Sequence, residues 1–187
     1  MANGRMIIFL IAVAILVTAL LAIATYSFRR ARRSSQRDWE SLLRRLTAVD
    51  RGSIAEVALD IIDESGQQRR DEGSAILDPA QIWKLVGGLD GLEVLEANCA
   101  VLIDLAFYVQ QWYPEALAVA EQLRLSAREI EWHVERLRSA QKMGKLESAF
   151  PMYAQRAVAT YYLMTRRVLA LYEQGSLAML ADLEKAL

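Results

Sequence analysis

The chain contains only one cysteine, one histidine, three prolines and nine glycines among its 187 residues. A single cysteine excludes a disulfide framework, and one cysteine with one histidine cannot complete a four-ligand structural zinc site. The scarcity of proline and glycine excludes collagen-like and loop-rich chains. Apolar residues make up 54% of the sequence, which also excludes an intrinsically disordered chain.

Motifs that carry catalysis are missing as well. The sequence has no Gly-x-Ser-x-Gly nucleophile motif, and Gly87, Gly88 and Gly91 are not followed by the Lys-Ser/Thr pair of a phosphate-binding loop. Cys99 lies among apolar residues with no basic neighbour in sequence, which predicts a buried, unreactive thiol. We therefore predict a protein that is not an enzyme and that binds no cofactor.

The only histidine, His133, lies one helical turn after Glu129, so both side chains could reach one divalent metal ion. A di-iron bundle needs Glu-x-x-His on two helices, but Ile130 stands where the glutamate is required and no second histidine exists. We predict no metal site and place His133 on an exposed, charged helix face. There, His133→Ala should change the free energy of unfolding by no more than about 0.5 kcal/mol.

Charge is absent from one long run, residues 6–28. As a helix these residues would be about 34 Å long, enough to cross a hydrocarbon core of about 30 Å. The alternative is a signal peptide, because residues 22–24 (Ala-Ile-Ala) fit a cleavage site. The run is long for a signal peptide, and the arginines that follow it resist translocation. The sequence therefore predicts a single N-terminal transmembrane helix.

Acidic residues are absent before Asp38, whereas arginines are concentrated between the predicted span and this residue. Cytoplasmic flanks of spans are enriched in Arg and Lys, so residues 1–5 should form a short tail outside the cytoplasm and residues 38–187 a domain inside. The linker, residues 29–37, either only sets this orientation in the bilayer or also recognises lipid head groups. Its five arginines form the basic collar: Arg29, Arg30, Arg32, Arg33 and Arg37.

Small residues within the span recur every four positions, at Ala14, Thr18 and Ala22. This spacing lets two helices approach closely and marks a possible transmembrane packing face. Beyond the span, residues 38–187 carry 16 basic and 23 acidic side chains, a net charge of −7. An acidic domain argues against nucleic acid as a partner.

The domain of residues 38–187 shows helical periodicity and no sustained alternation, which predicts an all-α bundle of five or six helices. Two of the helices are long and coiled-coil-like, and the most apolar one, from about residue 91, should be central in the bundle. Pro114 either kinks one very long helix or separates two. Asn98 and Asp104 either fix helix register inside the bundle or face partners. An apolar seam is predicted at Ala116, Ala120, Leu123, Ala127, Ile130, Val134 and Leu137.

Helix ends and the first helix are also indicated by local patterns. Ser53 and Asp90 precede glutamates by three residues, as in capping boxes, and Asp78-Pro79 is typical of a helix start. The amphipathic stripe from Trp39 to Val49 packs either on the bilayer surface or on the following domain. The tyrosines between residues 153 and 172 are predicted to belong to the core.

Together these features predict a single-pass, membrane-anchored protein that acts at the cytoplasmic membrane face as a non-enzymatic scaffold. Its partners would be the lipid bilayer and either another protein or a second copy, bound through helical faces. The alternative is a signal-transmitting subunit of a membrane complex that couples its span to the bundle.

Overall fold

The computed structural model describes residues 39–63, 66–67, 77–175 and 179–187. These residues form seven helices and no β-strand, which confirms the predicted all-α class. The count exceeds the predicted five or six, partly because Pro114 divides the longest helical stretch. The helices are α1 (Trp39–Leu43), α2 (Arg51–Ile61), α3 (Pro79–Val86), α4 (Gly88–Val109), α5 (Ala116–Lys142), α6 (Leu146–Gln174) and α7 (Leu180–Ala186).

The predicted tail (residues 1–5), span (6–28), collar (29–37) and packing face of Ala14, Thr18 and Ala22 lie outside the described residues. Within the described part of the chain, none of the helices combines the length and the hydropathy needed to cross a membrane.

Of the three long helices, α5 runs antiparallel to both α4 and α6, whereas α4 and α6 run parallel, with Tyr172, late in α6, bonded to Leu105, late in α4. Arg138, late in α5, bonds to Glu93, early in α4. Arg167, late in α6, lies 3.4 Å from the Ser126 hydroxyl, early in α5. Helix α6 packs against α2, α3, α4, α5 and α7, and α4 packs against α1, α3, α5 and α6, so the predicted interior helix α4 shares the centre of the bundle with α6. Hydropathy indicated α4 alone, because α6 is much less apolar overall.

Pro114 lies in the turn that separates α4 from α5, so the continuous-helix alternative is excluded. Proline has no backbone N–H, and its ring collides with the carbonyl of the fourth residue before it in a continuous helix. The chain therefore folds back, with Tyr113 N–H donating to Val109 O at 3.0 Å and Ala116 N–H to Tyr113 O at 3.0 Å. The predicted seam of α5 is buried at every position except the half-buried Ala127.

Two predicted helix starts were wrong. Helix α2 begins at Arg51 with Asp50 as its N-cap, and Ser53 donates its hydroxyl hydrogen to Asp50 Oδ2 at 2.6 Å instead of capping the helix itself. This bond and the Gly52 N–H hold the pKa of Asp50 below its usual value. Helix α4 begins at Gly88, directly after the left-handed Gly87 that ends α3, so Asp90 belongs to its first turn.

Proline sets the start of α3 but not that of α6. Asp78 is the N-cap of α3 with Pro79 at the first helical position, as predicted, and Asp78 N–H donates to Gln81 Oε1 at 3.0 Å. Helix α6 begins at Leu146 and contains Pro151 within its second turn. Because Pro151 cannot donate, the Glu147 carbonyl lacks its usual helical partner.

Candidate functional site

The first helix is seated on the bundle at its α4–α5 end. The Trp39 ring lies 5.7 Å from the Tyr108 ring and 5.5 Å from the Tyr172 ring, measured between centroids. Leu42 is fully buried. The stripe that begins at Trp39 therefore packs on the domain, as one of the two sequence alternatives required.

Helix α1 ends at Leu43, earlier than its amphipathic pattern indicates. The N–H groups of residues 44–46 still donate to carbonyls three or four residues earlier, whereas that of Thr47 donates to Asn98. Residues 44–50, which we call the strap, lie between α1 and α2. Thr47 N–H donates to Asn98 Oδ1 at 2.9 Å, and Asn98 Nδ2 donates to Thr47 O at 2.8 Å. The Asn98 amide replaces the helical partners of this backbone group, since it offers one acceptor and two donors.

Asn98 is buried, and its Nδ2 also lies 3.3 Å from the Tyr161 hydroxyl on α6. One side chain thus joins the strap, α4 and α6. Of the two roles considered for Asn98, the interior one is confirmed. Asp104 pairs with Arg45 of the strap at 2.7 Å, with both side chains partly exposed, so this ion pair contributes at most about 1 kcal/mol.

A surface groove lies at the other end of the bundle. Its volume is about 800 Å³, and Phe150 and Trp83 form its floor and one wall, with ring centroids 4.3 Å apart. Phe150 is buried, whereas Trp83 is 41% exposed. The groove is lined by Pro79, Ala80, Trp83, Gly144, Leu146, Glu147, Phe150 and Pro151.

The groove and the α1 seat are at opposite ends of α6. Phe150 and Tyr172 are 22 residues apart on this helix, a separation of about 33 Å at 1.5 Å per residue. Next to the groove, Lys142 and Lys145 flank Gly144 in sequence, and Lys84 follows Trp83. Three of the chain's four lysines are thus close in sequence to the lining, as is Asp78, and the lining itself contains a single acidic residue, Glu147.

His133 is buried, 3% exposed, so the predicted exposed position was wrong. Its ring packs between Trp132, at 5.0 Å, and Tyr153 of α6, at 5.8 Å. The physical reason is that residue 133 lies three positions after Ile130 and four before Leu137, both in the seam. The charged neighbours at 129, 131 and 135 obscured this spacing in the sequence.

Burial lowers the pKa of His133, and Arg156 of α6 adds to this effect, while Glu129 opposes it. Glu129 Oε1 lies 3.8 Å from His133 Nε2, too far for a good hydrogen bond, and Nδ1 has no hydrogen-bond partner among the described residues. In the same part of the chain, no group of three His, Cys, Asp or Glu side chains is placed to hold a metal ion.

Replacing His133 by alanine is now expected to lower the free energy of unfolding by about 1–3 kcal/mol, because it leaves a cavity between α5 and α6. The wild-type protein should also lose stability as the pH falls below 6.5, the ordinary value for histidine. Below that pH the unfolded chain binds a proton that the folded His133, with its lowered pKa, does not. Denaturant unfolding between pH 7.5 and pH 5 measures both effects.

The matched control is His133→Phe, which keeps a ring in the same space but does not titrate. It should retain most of the wild-type free energy of unfolding. The part of the stability loss at low pH that comes from protonation of His133 should disappear. Equal pH dependence in the wild type and in His133→Phe would contradict the assignment.

Cys99 is buried, as predicted, and its Sγ donates to Leu95 O at 3.1 Å. Burial raises the pKa of the thiol to about 12, so almost no thiolate is present at neutral pH. A thiol in this state is a poor nucleophile and a poor metal ligand.

Arg138 forms a cluster with three glutamates that the sequence pattern did not indicate. Its guanidinium lies within 2.6–3.1 Å of carboxylate oxygens of Glu93, Glu96 and Glu135, and thereby fastens α5 to the start of α4. These carboxylates raise its pKa. One guanidinium bonds three carboxylates, so the cluster keeps a net formal charge of −2 and serves as a structural clamp between two helices.

Compared with known proteins, the chain matches no family model, no curated sequence and no solved structure. The two ends of the bundle, the α1 seat and the groove beside Trp83, are the features of the described residues that bear on function.

Proposed function

We propose that the protein is a single-pass, membrane-anchored adaptor without enzymatic activity, whose helical domain works at the cytoplasmic face of a membrane. Residues 6–28 are the anchor, and the basic collar keeps residues 38–187 inside. Tethering of this kind raises the concentration of the domain near other membrane-associated proteins.

The observation that carries the proposal is the groove beside Trp83. A large, partly exposed aromatic side chain over a buried phenylalanine is typical of surfaces that bind another protein. The groove lies at the end of α6 remote from α1, and α1 is the described element nearest in sequence to the anchor. A partner could therefore reach the groove without obstruction by the bilayer.

The occupant we propose is an amphipathic helix of a partner protein, with an apolar face and acidic flanks. The apolar lining suits the inserted face of such a helix. Lys84, Lys142 and Lys145 are close in sequence to the groove lining and outnumber Glu147 and Asp78 there, in contrast to the net charge of −7 over residues 38–187. Charge of opposite sign on the partner would guide its approach and its orientation.

The proposal is tested by a photo-crosslinking amino acid at Ala80, an exposed residue of the groove lining, in the full chain in native membranes. Crosslinks should map to an apolar segment with acidic flanks in another protein. They should be lost in Trp83→Asp and retained in Leu125→Ser, a change at an exposed residue of α5.

Three results would contradict the adaptor. Crosslinks that persist in Trp83→Asp would place the partner elsewhere. Crosslinks to a second copy of this chain would replace the adaptor by a homo-oligomer. Their absence at Ala80, with strong crosslinks at the exposed Arg128 on α5, would exclude the groove.

The orientation is tested by a reporter enzyme that is active only outside the cytoplasm, fused after Leu187. It is expected to be silent. In the control, all five collar arginines are changed to glutamine, which removes the charge asymmetry and should produce a fraction of active reporter. Full activity in the wild type would mean an inverted anchor or a cleaved signal peptide.

The strap favours a second candidate function, a signal-transmitting subunit. Contacts of Trp39, Arg45 and Thr47 follow α4 from Tyr108 to Asn98, so a displacement of α1 would be passed to this helix. An unrelated apolar sequence in place of residues 6–28 distinguishes the two functions. An adaptor would retain its crosslinks at Ala80 with the replaced span. A transmitter depends on the sequence of its own span, so its crosslinks at Ala80 would change.

A further inference from the structure

We propose that the turn between α4 and α5, residues 110–115, together with Leu117, rests in the head-group region of the bilayer. The partner of this surface is a lipid bilayer that contains anionic lipids. This inference rests on the proposed anchor at residues 6–28. It adds a second membrane contact, made by the domain itself, which fixes the orientation of the bundle.

The surface consists of two large side chains that the fold leaves in solvent. Trp112 is 53% exposed and Leu117 is 42% exposed, on either side of Pro114. Leu117 lies in the first turn of α5, next to the α4–α5 turn, and its N–H donates to Pro114 O at 3.1 Å. In a domain that buries most of its large apolar side chains, this pair is a local concentration of exposed apolar surface.

An aromatic row connects this surface to the side of the domain from which the anchor leaves. The Trp112 ring lies 5.1 Å from the Tyr108 ring, which lies 5.7 Å from the Trp39 ring. Trp39 is the first residue that the structure describes. The exposed turn is therefore directly beside the point where the chain continues toward the predicted span.

The length of chain before Trp39 limits how far this end can be from the bilayer. Ten residues, 29–38, separate Trp39 from Phe28, the last residue of the predicted span. Even fully extended, these residues reach no more than about 36 Å. The groove beside Trp83 lies about 33 Å further along α6, so the α4–α5 turn is the end of the bundle nearer to the point where the chain continues toward the predicted span.

The side chains fit a bilayer interface better than a protein surface in water. Tryptophan and tyrosine are enriched at head-group level, where an apolar ring and a polar N–H or O–H are both accommodated. Arg44, on the strap, is exposed but pairs with the equally exposed Glu40 at 3.6 Å, so the cations for anionic head groups are those of the basic collar. Glu115, in the same turn, is exposed and would stay at the aqueous boundary.

The test uses spin labels on the full chain in vesicles of phosphatidylcholine and phosphatidylglycerol. Single cysteines are introduced at Gln111, beside Trp112, at Met143, at the far end of the bundle, and at Leu16, within the span. Cys99 is buried with a raised pKa, so it leaves no labelled background. Collision rates are measured with oxygen, which concentrates in lipid, and with a water-soluble nickel chelate.

At position 111 the nickel collision rate should be several-fold lower than at position 143, and the oxygen rate higher. In the double variant Trp112→Ser, Leu117→Ser, the nickel and oxygen collision rates at position 111 should become equal to those at position 143. Leu125→Ser, at an exposed residue of the same helix, should leave the contact intact. Unchanged helix content and unchanged rates at position 143 show that the double variant is folded.

The outcomes separate this inference from the proposed function. If the label at position 16 is in lipid and the label at position 111 behaves like that at position 143, the docking surface is wrong and the anchor stands. If position 16 is open to the nickel chelate, the anchor is wrong and this inference falls with it. Lipid contact at position 111 that survives the double variant would assign the contact to other residues.

Discussion

The substitution Gly91→Ala is expected to lower the free energy of unfolding by about 3 kcal/mol, although it replaces a glycine inside a helix. A Cβ at this position would overlap the backbone carbonyl of Val86, the last residue of α3. A backbone group cannot move aside as a flexible side chain can. The α3–α4 connection would have to open, and with it one wall of the groove beside Trp83.

Helix propensity by itself gives the opposite sign, since alanine in a helix is favoured over glycine by about 1 kcal/mol. Gly52→Ala, in the first turn of α2, is the matched control. A Cβ there meets only the Asp50 side chain, at an ordinary 3.5 Å, so this variant should be at least as stable as the wild type. Urea unfolding of the full chain in detergent, followed by circular dichroism, compares them. Equal stability of Gly91→Ala and the wild type would contradict the close approach of α3 and α4.

Tyr172→Ala is expected to cost about 3–5 kcal/mol, the range for loss of a large buried aromatic side chain. The Tyr172 side chain is fully buried under Trp39 and holds α1 against α4 and α6. Its removal leaves a cavity beneath α1, so Trp39 should also become accessible to solvent. Denaturant unfolding measures the first effect, and a shift of tryptophan fluorescence to longer wavelength measures the second.

The Tyr172→Phe variant separates packing from hydrogen bonding at this position. It removes only the hydroxyl that donates to Leu105 O at 3.1 Å, so it should cost about 1 kcal/mol and leave Trp39 in place. Burial raises the pKa of this phenol well above its ordinary value, so the hydroxyl stays protonated and remains a donor. If Tyr172→Phe destabilised the protein as much as Tyr172→Ala, the packing argument would be wrong.

Much of the helical domain could be predicted because local features decide it. The seam from Ala116 to Leu137 repeats at helical spacing, and every member but Ala127 is buried. Asp78-Pro79 starts a helix wherever the chain goes next, because proline restricts its own backbone. Pro114 required at least an interruption, but only the packing of α4 on α5 excluded a kinked single helix.

The predictions that failed depend on which of several possible partners a residue contacts, near or far in the chain. Ser53 has the pattern of a capping box, but Asp50 lies three residues earlier and caps the helix first. His133 stands among charged residues, and only the width of the buried face of α5 places it against Tyr153. The path of the strap at Thr47 depends on Asn98, which is 51 residues away in sequence.

The sequence by itself therefore determined the all-α class, the main helices and the single uncharged run of residues 6–28 on which the anchor proposal depends. Periodicity, proline and charge act within a few residues, and a sequence displays them directly. Only the tertiary structure decided the Asn98 bonds to the strap, the Arg138 cluster, the burial of His133, the groove beside Trp83 and the exposed turn at Trp112. Each of these requires groups that are distant in the chain to meet, or to be left uncovered, when the helices pack, and packing is a property of the whole domain.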